Sequence, residues 1–487
     1  MTVELTRGGA ELELAARVVE LVRAVVGPAG EAEVMVQHEA EALTRFANSA
    51  IHQNVADATT TVRLRLHLDG RTAGGSTTVT AADGLRGLVE RVVAAARLSP
   101  ADPTWPGLTP PTPRHQSAAH HGSGAHSGLD FGFDEATARA SPVERAERVR
   151  DFVRAAGGLE TAGFCRTVYT SAAFANSAGQ SIEGRTAEAA MDGIARLNGS
   201  DGVARLASGR LADVDGAALG LRAAAKARAG ERPIELPPGR YEVVLEPEAV
   251  ADLLGNLAMF GFNGRLFAQR QSFAELEAEQ FDPSVTIVDD PLGSRGEPAP
   301  GLPFDDEGTP CETLVLVRDG VTKSVAHDRR TAAEVGAVST GHAWPGSRSW
   351  GPMPTSMRFE AAAAATEPVL PPAEPGGPTA ESARPLVAHV ERGLLITDFW
   401  YTRVLDPKSL VITGLTRNGV WLVEDGEVTA AVGNMRFTQS YPQALGIGMV
   451  RGIGSESVLL PDRWAGVRFA APALHLASWN LTGNASG

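Results

Sequence analysis

The run Tyr241-Glu242-Val243-Val244-Leu245 breaks at Glu246-Pro247-Glu248 and gives way to apolar residues at Val250, Leu253, Leu254 and Leu257. The first stretch reads as a strand. Pro suits the first turn of a helix, and Glu248 complements the positive end of its dipole. Apolar residues at i, i+3, i+4 and i+7 predict a helix with one buried face. Asn256 lies inside that apolar pattern, and Gly261 and Gly264 can end the helix. A helix of this kind needs a core to lie on. A chain of 487 residues supplies one, with length for about two or three domains.

Composition narrows the function. Hydrophobic residues make up 43% and charged residues 21%, the balance of a soluble globular protein. A formal net charge of -14 argues against general nucleic-acid binding, which needs a basic face to displace counterions. Cys165 and Cys311 form neither a disulfide framework nor a zinc-ribbon spacing, and two reduced thiols fit a cytoplasmic protein. Residues 1–8 carry Glu4 and Arg7 and no apolar signal core, and no run of about 18 apolar residues predicts a membrane span.

The first half alternates helices and strands. Leu12–Val26 is predicted as an amphipathic helix stopped by Gly27-Pro28, and Glu33–Gln37 as a short strand. Thr44–Asn54 is dense in side chains that both donate and accept hydrogen bonds, and reads as an ordered turn holding His52. Thr60–Leu68 alternates as a half-buried strand, Asp69-Gly70 signals a hairpin, Gly75–Thr80 returns, and Leu85–Leu98 is a helix. Residues 99–128 change character: six prolines, then His115, His120, His121 and His126 among Ser, Ala and Gly. This predicts a flexible surface insertion, with incidental metal binding as the alternative. Val143–Ala156 is a helix, Thr161–Thr170 a strand, Thr186–Ala195 another, and Gly209–Ala229 an Ala-rich helix. Phe-Ala-Asn-Ser occurs twice, at 46–49 and 174–177, each time ahead of a strand; two short hits are consistent with two similar turns. Pro237-Pro238 stiffens a joint after residue 232.

The second half is strand-rich. Asp319-Gly320 and Asp425-Gly426 mark hairpins of a largely antiparallel sheet or barrel. Asp289-Asp290 and Asp305-Asp306-Glu307 cluster carboxylates, but no calcium-loop spacing follows, and a structural turn is the plainer reading. Residues 366–385 form a second Pro-rich loop. No Gly-x-Ser-x-Gly elbow, His-Glu-x-x-His motif or phosphate loop occurs.

Several segments together resemble the TldD/TldE (PmbA) family of metallopeptidases, the modulators of DNA gyrase. They are the Thr-Arg-Phe-Ala-Asn run ending in His52-Gln53-Asn54, Asp328–Gly336, Thr355–Phe359, Gly393–Asp398, and Val411–Gly414 with Asn418–Val420. In the TldD branch, a helix carries Leu-Leu-His-Glu-x-x-Gly-His-Gly, whose two His bind zinc and whose Glu acts as base. Laid on that pattern, Gly255 and Asn256 stand where the first His and the Glu would be, and Phe260 where the second His would be. Gly offers no ligand, an amide is a poor base, and Phe cannot coordinate. The family's active branch also places a ligand Cys in the C-terminal half, where this chain has none after Cys311. The chain is therefore more similar to the TldE (PmbA) branch.

The resemblance implies an α+β protein. Residues 1–232 are expected to form an N-terminal α/β domain with flanking helices, and residues 240–487 a C-terminal β-rich, barrel-like domain. It implies a cytoplasmic, non-catalytic subunit that forms a heterodimer with a TldD-type metalloprotease. No cofactor is expected in this chain, with zinc in the partner. The pair would enclose unfolded or extended peptides for proteolysis or maturation, with no direct nucleic acid and no membrane. Strand addition is tolerant of sequence. The candidate peptide-cleft residues are Arg45, Asn48, His52, Asn54, Thr355, Ser356 and Arg358. The alternatives are a non-proteolytic protein-binding regulator and a hydrolase acting alone through an unrecognised site.

Overall fold

The computed structural model describes residues 8–112, 133–293, 301–361, 378–461 and 467–485. The four histidines of the 99–128 segment, and residues 366–377 of the second Pro-rich loop, lie outside them. The protein is α+β. Its first half is built from α1 (Ala10–Val26), β1 (Glu31–Ala47), β2 (Ala50–Leu68), β3 (Arg71–Thr77), α2 (Ala82–Leu98), α3 (Glu135–Ala138), α4 (Pro142–Ala155), β4 (Glu160–Asn176), β5 (Ser181–Leu197), β6 (Ser200–Ser208) and α5 (Gly216–Ala229). The six strands form one antiparallel sheet in the order β3-β2-β1-β4-β5-β6.

That order places two helix–three-strand–helix units back to back. β1 and β4 pair antiparallel from Glu33↔Asn176 to Phe46↔Gly163, so the units meet about a pseudo-twofold axis. The repeated Phe-Ala-Asn-Ser explains how. The Ser49 backbone N–H donates to Thr161 O (3.0 Å), and its Oγ donates to Leu159 O and accepts from the Thr161 N–H (both 3.1 Å). In the other unit, the Ser177 N–H donates to Ala32 O (2.9 Å). Its Oγ donates to Gly30 O (3.3 Å) and accepts from the Ala32 N–H (3.0 Å). Each hairpin end is thereby tied to the strand start of the opposite unit. α1 and α2 cover one unit through Val18, Val22, Leu85 and Val89; α4 and α5 cover the other through Val149, Phe152 and Ala223. The α4 N-terminus is fixed by a Ser141/Glu144 capping box.

Two sequence expectations change here. Thr44–Asn54 is not an ordered turn but the end of a long hairpin. β1 runs through Ala47, well past the expected Gln37, and β2 starts at Ala50. Its turn is carried by Asn48 and Ser49, both at positive φ (49° and 60°), the geometry a two-residue hairpin favours. The outer part of β2 lacks hydrophobic alternation because most of its side chains face solvent. The first part of the Pro-rich segment is no loose excursion. Trp105 stacks on His67 (4.9 Å between rings, 4° apart) and donates to Glu31 (2.8 Å). Asp102 pairs with Arg330 (2.9 Å), buried Thr109 donates to Glu307 O (2.7 Å), and the Thr112 N–H donates to Gln180 (3.0 Å). Residues 99–112 thus strap the first sheet to the second half. Proline lowers the entropy lost on ordering such a strap, which composition alone does not register.

After residue 232 the chain enters β7 (Gly239–Leu245) and α6 (Pro247–Asn256). A second sheet combines β8 (Ile287–Asp289), β9 (Leu314–Arg318), β10 (Val321–Thr322), β11 (Ser356–Phe359), β17 (Val458–Leu460) and β18 (Arg468–Ala471) in the order β10-β9-β8-β11-β18-β17. The remaining strands are β12 (Arg392–Asp406), β13 (Val411–Glu424), β14 (Glu427–Ala431), β15 (Met435–Ser440), β16 (Val450–Ile453) and β19 (Leu474–Asn484). Their order β12-β7-β19-β15-β13 closes through the β12–β13 pairing, so five strands form a ring, with β14 and β16 added outside. Phe399, Phe437 and Trp479 pack together in the main core, which continues through the buried face of α6 to Ile287 and Phe359 of the second sheet. No described helix is long and apolar enough to cross a membrane.

The strap makes a measurable claim. Trp105→Ala should lower unfolding stability by about 2 kcal/mol in urea titrations, less than a fully buried Trp because the ring is half-buried. An unchanged midpoint would mean that the strap bears no load.

Candidate functional site

The strand-to-helix unit forms as its sequence dictates. β7 ends at Leu245, Glu246 is extended at the N-cap, and Pro247 opens the helix. Val250, Leu253, Leu254 and Leu257 are all fully buried. The helix does not stop at Asn256 but widens into a π turn, Leu257–Gly261, closed by the Phe262 N–H on Leu257 O (2.7 Å). Such turns cluster at functional sites because the extra residue re-aims the side chains beside it.

Three positions on this helix decide its chemistry. Gly255 faces Phe469 of β18, whose Cε2 would lie 3.2 Å from a Cβ built there. An aromatic edge therefore crowds the place from which a longer side chain would project. Asn256 turns back on its own helix: its amide donates to Asp252 O (2.9 Å) and Asp252 Oδ2 (3.2 Å). Phe260 is half-buried against the main core. Asp252 also accepts from Thr402 (2.9 Å) and from the Tyr441 hydroxyl (3.1 Å). Burial, together with Asp252, pushes the Tyr441 phenol well above its ordinary range, so it stays protonated and donates. The polar side of the helix is thus a carboxylate gripped by three side chains. An amide committed as donor offers no base, and a carboxylate with both oxygens engaged is poorly placed to take a proton. The helix positions do not fit a zinc ion: they present no donor, a committed amide and a phenyl ring. Among the described residues, no group of three His, Cys, Asp or Glu is arranged to hold a metal.

The cleft candidates fall into two places. Arg45, Asn48, His52 and Asn54 lie at the end of the β1–β2 hairpin, all exposed. Arg45 sits opposite Gln53, His52 is the extra residue of a bulge, and Asn54 accepts from Thr44 Oγ1 (2.6 Å). Thr355, Ser356 and Arg358 belong to or border β11, in another sheet. There Ser356 is buried, and its N–H donates to Asp289 (2.7 Å). β11 lies between β8 and β18, so both its edges are already paired, and of these two candidate places strand addition is open at the hairpin alone.

The clustered carboxylates serve the fold. Asp305 accepts three backbone N–H groups, from Glu307, Thr309 and Ala343, at 2.9 Å each. Burial and the neighbouring Glu307 push its pKa up to about 7. Glu307 bonds Arg65 and Arg329 (both 2.9 Å), and Asp289 bonds His342 (3.0 Å). Cys311 donates to Gly341 O (3.1 Å), and burial raises both thiols, that of Cys165 to about 12. Sequence reasoning missed Asp252, Thr402 and Tyr441. The one signal available was the i,i+4 spacing of Asp252 and Asn256.

Comparison with known proteins follows the same lines. The profile of the PmbA/TldA metallopeptidase C-terminal domain matches residues 238–483, and that of PmbA/TldA metallopeptidase domain 1 matches residues 32–96. A metalloprotease of Archaeoglobus fulgidus is 51% identical over 59 residues, 12% of this chain and 13% of that protein. A metalloprotease of Methanothermobacter thermautotrophicus is 30% identical over 128 residues, 24% of this chain and 27% of that protein. The chain thus spans only 13% to 27% of the length of these two relatives. TldE from Thermococcus kodakarensis superposes with a TM-score of 0.79 at 16% identity, over 96% of this chain and 100% of that one. A Thermotoga maritima protein described as a candidate modulator of a DNA gyrase superposes at 0.76 and 17% identity, over 96% and 99%. At these identities the likeness concerns the fold.

Tyr441→Phe removes the hydroxyl that buried Tyr441 donates to half-buried Asp252 and should cost about 1–2 kcal/mol of stability in thermal or urea unfolding. No loss would mean that Asp252 is satisfied without it.

Proposed function

The chain belongs to the PmbA/TldD metallopeptidase family, and from that membership we propose that it is the TldE-like, metal-free companion of a TldD-type zinc metallopeptidase. One observation carries the proposal. Where the metal-bearing branch has ligand, base and ligand, this chain has Gly255 under a phenyl ring, Asn256 bonded back to Asp252, and Phe260 half-buried against the core. The helix nonetheless buries Val250, Leu253, Leu254 and Leu257 completely.

Peptide hydrolysis by a metallopeptidase needs a metal to polarise the carbonyl and activate water, and a carboxylate to move the proton. In this reading the partner supplies both. This chain contributes wall and grip: it shares the partner's fold, encloses an unfolded or extended peptide and excludes bulk water. Heterodimer formation, a cytoplasmic location and the absence of direct nucleic-acid contact belong to the same proposal. The net charge of -14 supports the last of these.

Two experiments test it. Elemental analysis of purified, tag-free chain should find far less than one zinc per chain. One tightly held zinc that survives deletion of residues 113–128 would overturn the metal-free reading. Cleavage of casein or unfolded peptides should be absent with this chain alone and should require it when a metal-bearing relative is added. Chelator-sensitive cleavage by this chain alone would point to a hydrolase with its own site. Full activity of the relative without it would leave a non-proteolytic binding role.

A further inference from the structure

β12 reaches well past the strand beside it. It pairs with β7 only from Gly393 to Ile396; beyond that α6 lies against it, tied by the Thr402 hydroxyl to Asp252 (2.9 Å). Here the strand is irregular. Phe399 is fully buried and stacks on Trp479, so regular alternation would turn Trp400 outward and Tyr401 inward. Instead Tyr401 and Thr402 together stand opposite the single residue Gly414, and Tyr401 takes a left-handed φ of 55°. A bulge of this kind re-aims side chains. Both aromatic rings reach solvent as a result, Trp400 at 45% and Tyr401 at 64% exposure. The bulge is seated closely, because a Cβ at Gly414 would lie 2.8 Å from Thr402 Cγ2.

Trp400 stands in one row with Leu415 of β13 and Arg436 of β15, paired directly across the strands. Residues opposite one another share a face, so this row lies on the outside of the ring. Arg417, two residues beyond Leu415, holds its guanidinium 4.7 Å from the Trp400 ring centre, and Arg403 lies 4.2 Å from that of Tyr401. Arg403, Arg417 and Arg436 are all exposed, and among the described residues none of them pairs with a carboxylate. Arg65, Arg205, Arg222 and Arg329 each do. The carboxylates nearby are engaged elsewhere: Asp398 by Arg205 and Asn418 (2.8 and 3.0 Å), Asp252 by Thr402 and Tyr441. A guanidinium stacked on a ring keeps its edge N–H groups available for a carboxylate.

We propose that this outer face of the ring, with Trp400, Tyr401 and Leu415 among Arg403, Arg417 and Arg436, binds a carboxylate-bearing segment of an unfolded peptide. The inference rests on the reading of this chain as a peptide-holding companion and adds a selectivity to it, acidic stretches over neutral ones. Charge complementarity selects that occupant. In a chain of net charge -14, three unpaired arginines on one face reverse the local sign and attract an anion. The rings and Leu415 supply the apolar contact that a peptide also needs, and Trp, Tyr and Arg are the side chains that most often dominate binding energy. The surface is well placed for the purpose, because Thr402 within it bonds Asp252, one helical turn before Asn256. Nucleic acid would need a far wider basic face.

The test uses the full chain alone and a dye-labelled, unstructured peptide rich in Glu. Fluorescence anisotropy should show it binding at least about tenfold more tightly than its Gln counterpart, by a margin that shrinks as salt rises. Amidating the C-terminus of each peptide separates side-chain carboxylates from the terminal one, since the change that weakens binding names the source. The Arg417→Gln/Arg436→Gln variant, with its circular dichroism unchanged, should lose the preference and bind the Gln peptide as before. Equal binding of all these peptides, or none, would overturn the proposal. So would a preference that survives the variant, or an oligonucleotide that binds more tightly than the acidic peptide. Such a failure would leave zinc content and the need of a metal-bearing relative for this chain untouched. Full activity of the relative alone would overturn the functional proposal and leave the peptide preference standing, so the two fail separately.

Discussion

Glu246 is the point on which the two halves turn. It lies between the end of β7 and the first turn of α6, fully buried. Burial by itself pushes its carboxyl up, but Lys226 and Arg222 of α5 outweigh that and hold it below the ordinary range. Lys226 reaches it at 2.5 Å, Arg222 at 3.2 Å, and the Ala380 N–H donates to its other oxygen at 2.7 Å. Burial, and then Arg222 beside it, loosens the Lys226 ammonium's hold on its proton. Such a cluster is tolerable only when complete, because an orphaned buried charge costs about 3–5 kcal/mol. The last helix of the first half, the key helix of the second and the segment around Ala380 must therefore arrive together. The relative setting of the halves is fixed by charge pairing as well as by packing.

A second set of ionic contacts works at the far end of the first sheet. Arg65 and Arg329 share Glu33 and Glu307, and both guanidinium groups lie 5.6 Å from the Trp105 ring centre. Near β6, Arg205 joins Asp192 to Asp398 of β12 (2.7 and 2.8 Å). The face of the first sheet away from its helices is thus pinned to the second half at both flanks. The hairpin end carried by Asn48 and Ser49 is held instead within the first half, by Ser49 on Leu159 and Thr161 and by Phe46 against Phe152.

What could be read from residues alone follows from where the signal is local. Pro247, the apolar spacing of α6 and the Asp-Gly turns at 69–70, 319–320 and 425–426 each act within a few residues, and the structure has them as expected. The repeated Phe-Ala-Asn-Ser was visible, but its meaning was not. The bonds of Ser49 to Thr161 and of Ser177 to Ala32 join residues more than a hundred positions apart. The outer part of β2 escaped because an exposed strand has no alternation to detect. Residues 99–112 were misjudged because a Pro-rich composition predicts disorder only when no side chain anchors it, and Trp105 does. Ring closure through β12–β13 has no sequence signature.

The arrangement around Asn256 also shows what holds α6 to the ring of strands. A catalytic carboxylate on a helix must face a cleft and remain partly unsatisfied, which is a stability cost at the site. Here the side chain at that position bonds inward to Asp252, and Asp252 collects Thr402 and Tyr441 as well. The Tyr441 ring lies 5.7 Å from the Trp479 ring, which itself stacks on Phe399 at 5.0 Å. The polar group therefore ties α6 to the ring of strands, where a free base would have pulled it toward solvent. His and Glu at Gly255 and Asn256 would have to displace the Phe469 ring and strip Asp252 of a donor at once. The two positions are packed against different neighbours, so each resists such a change separately.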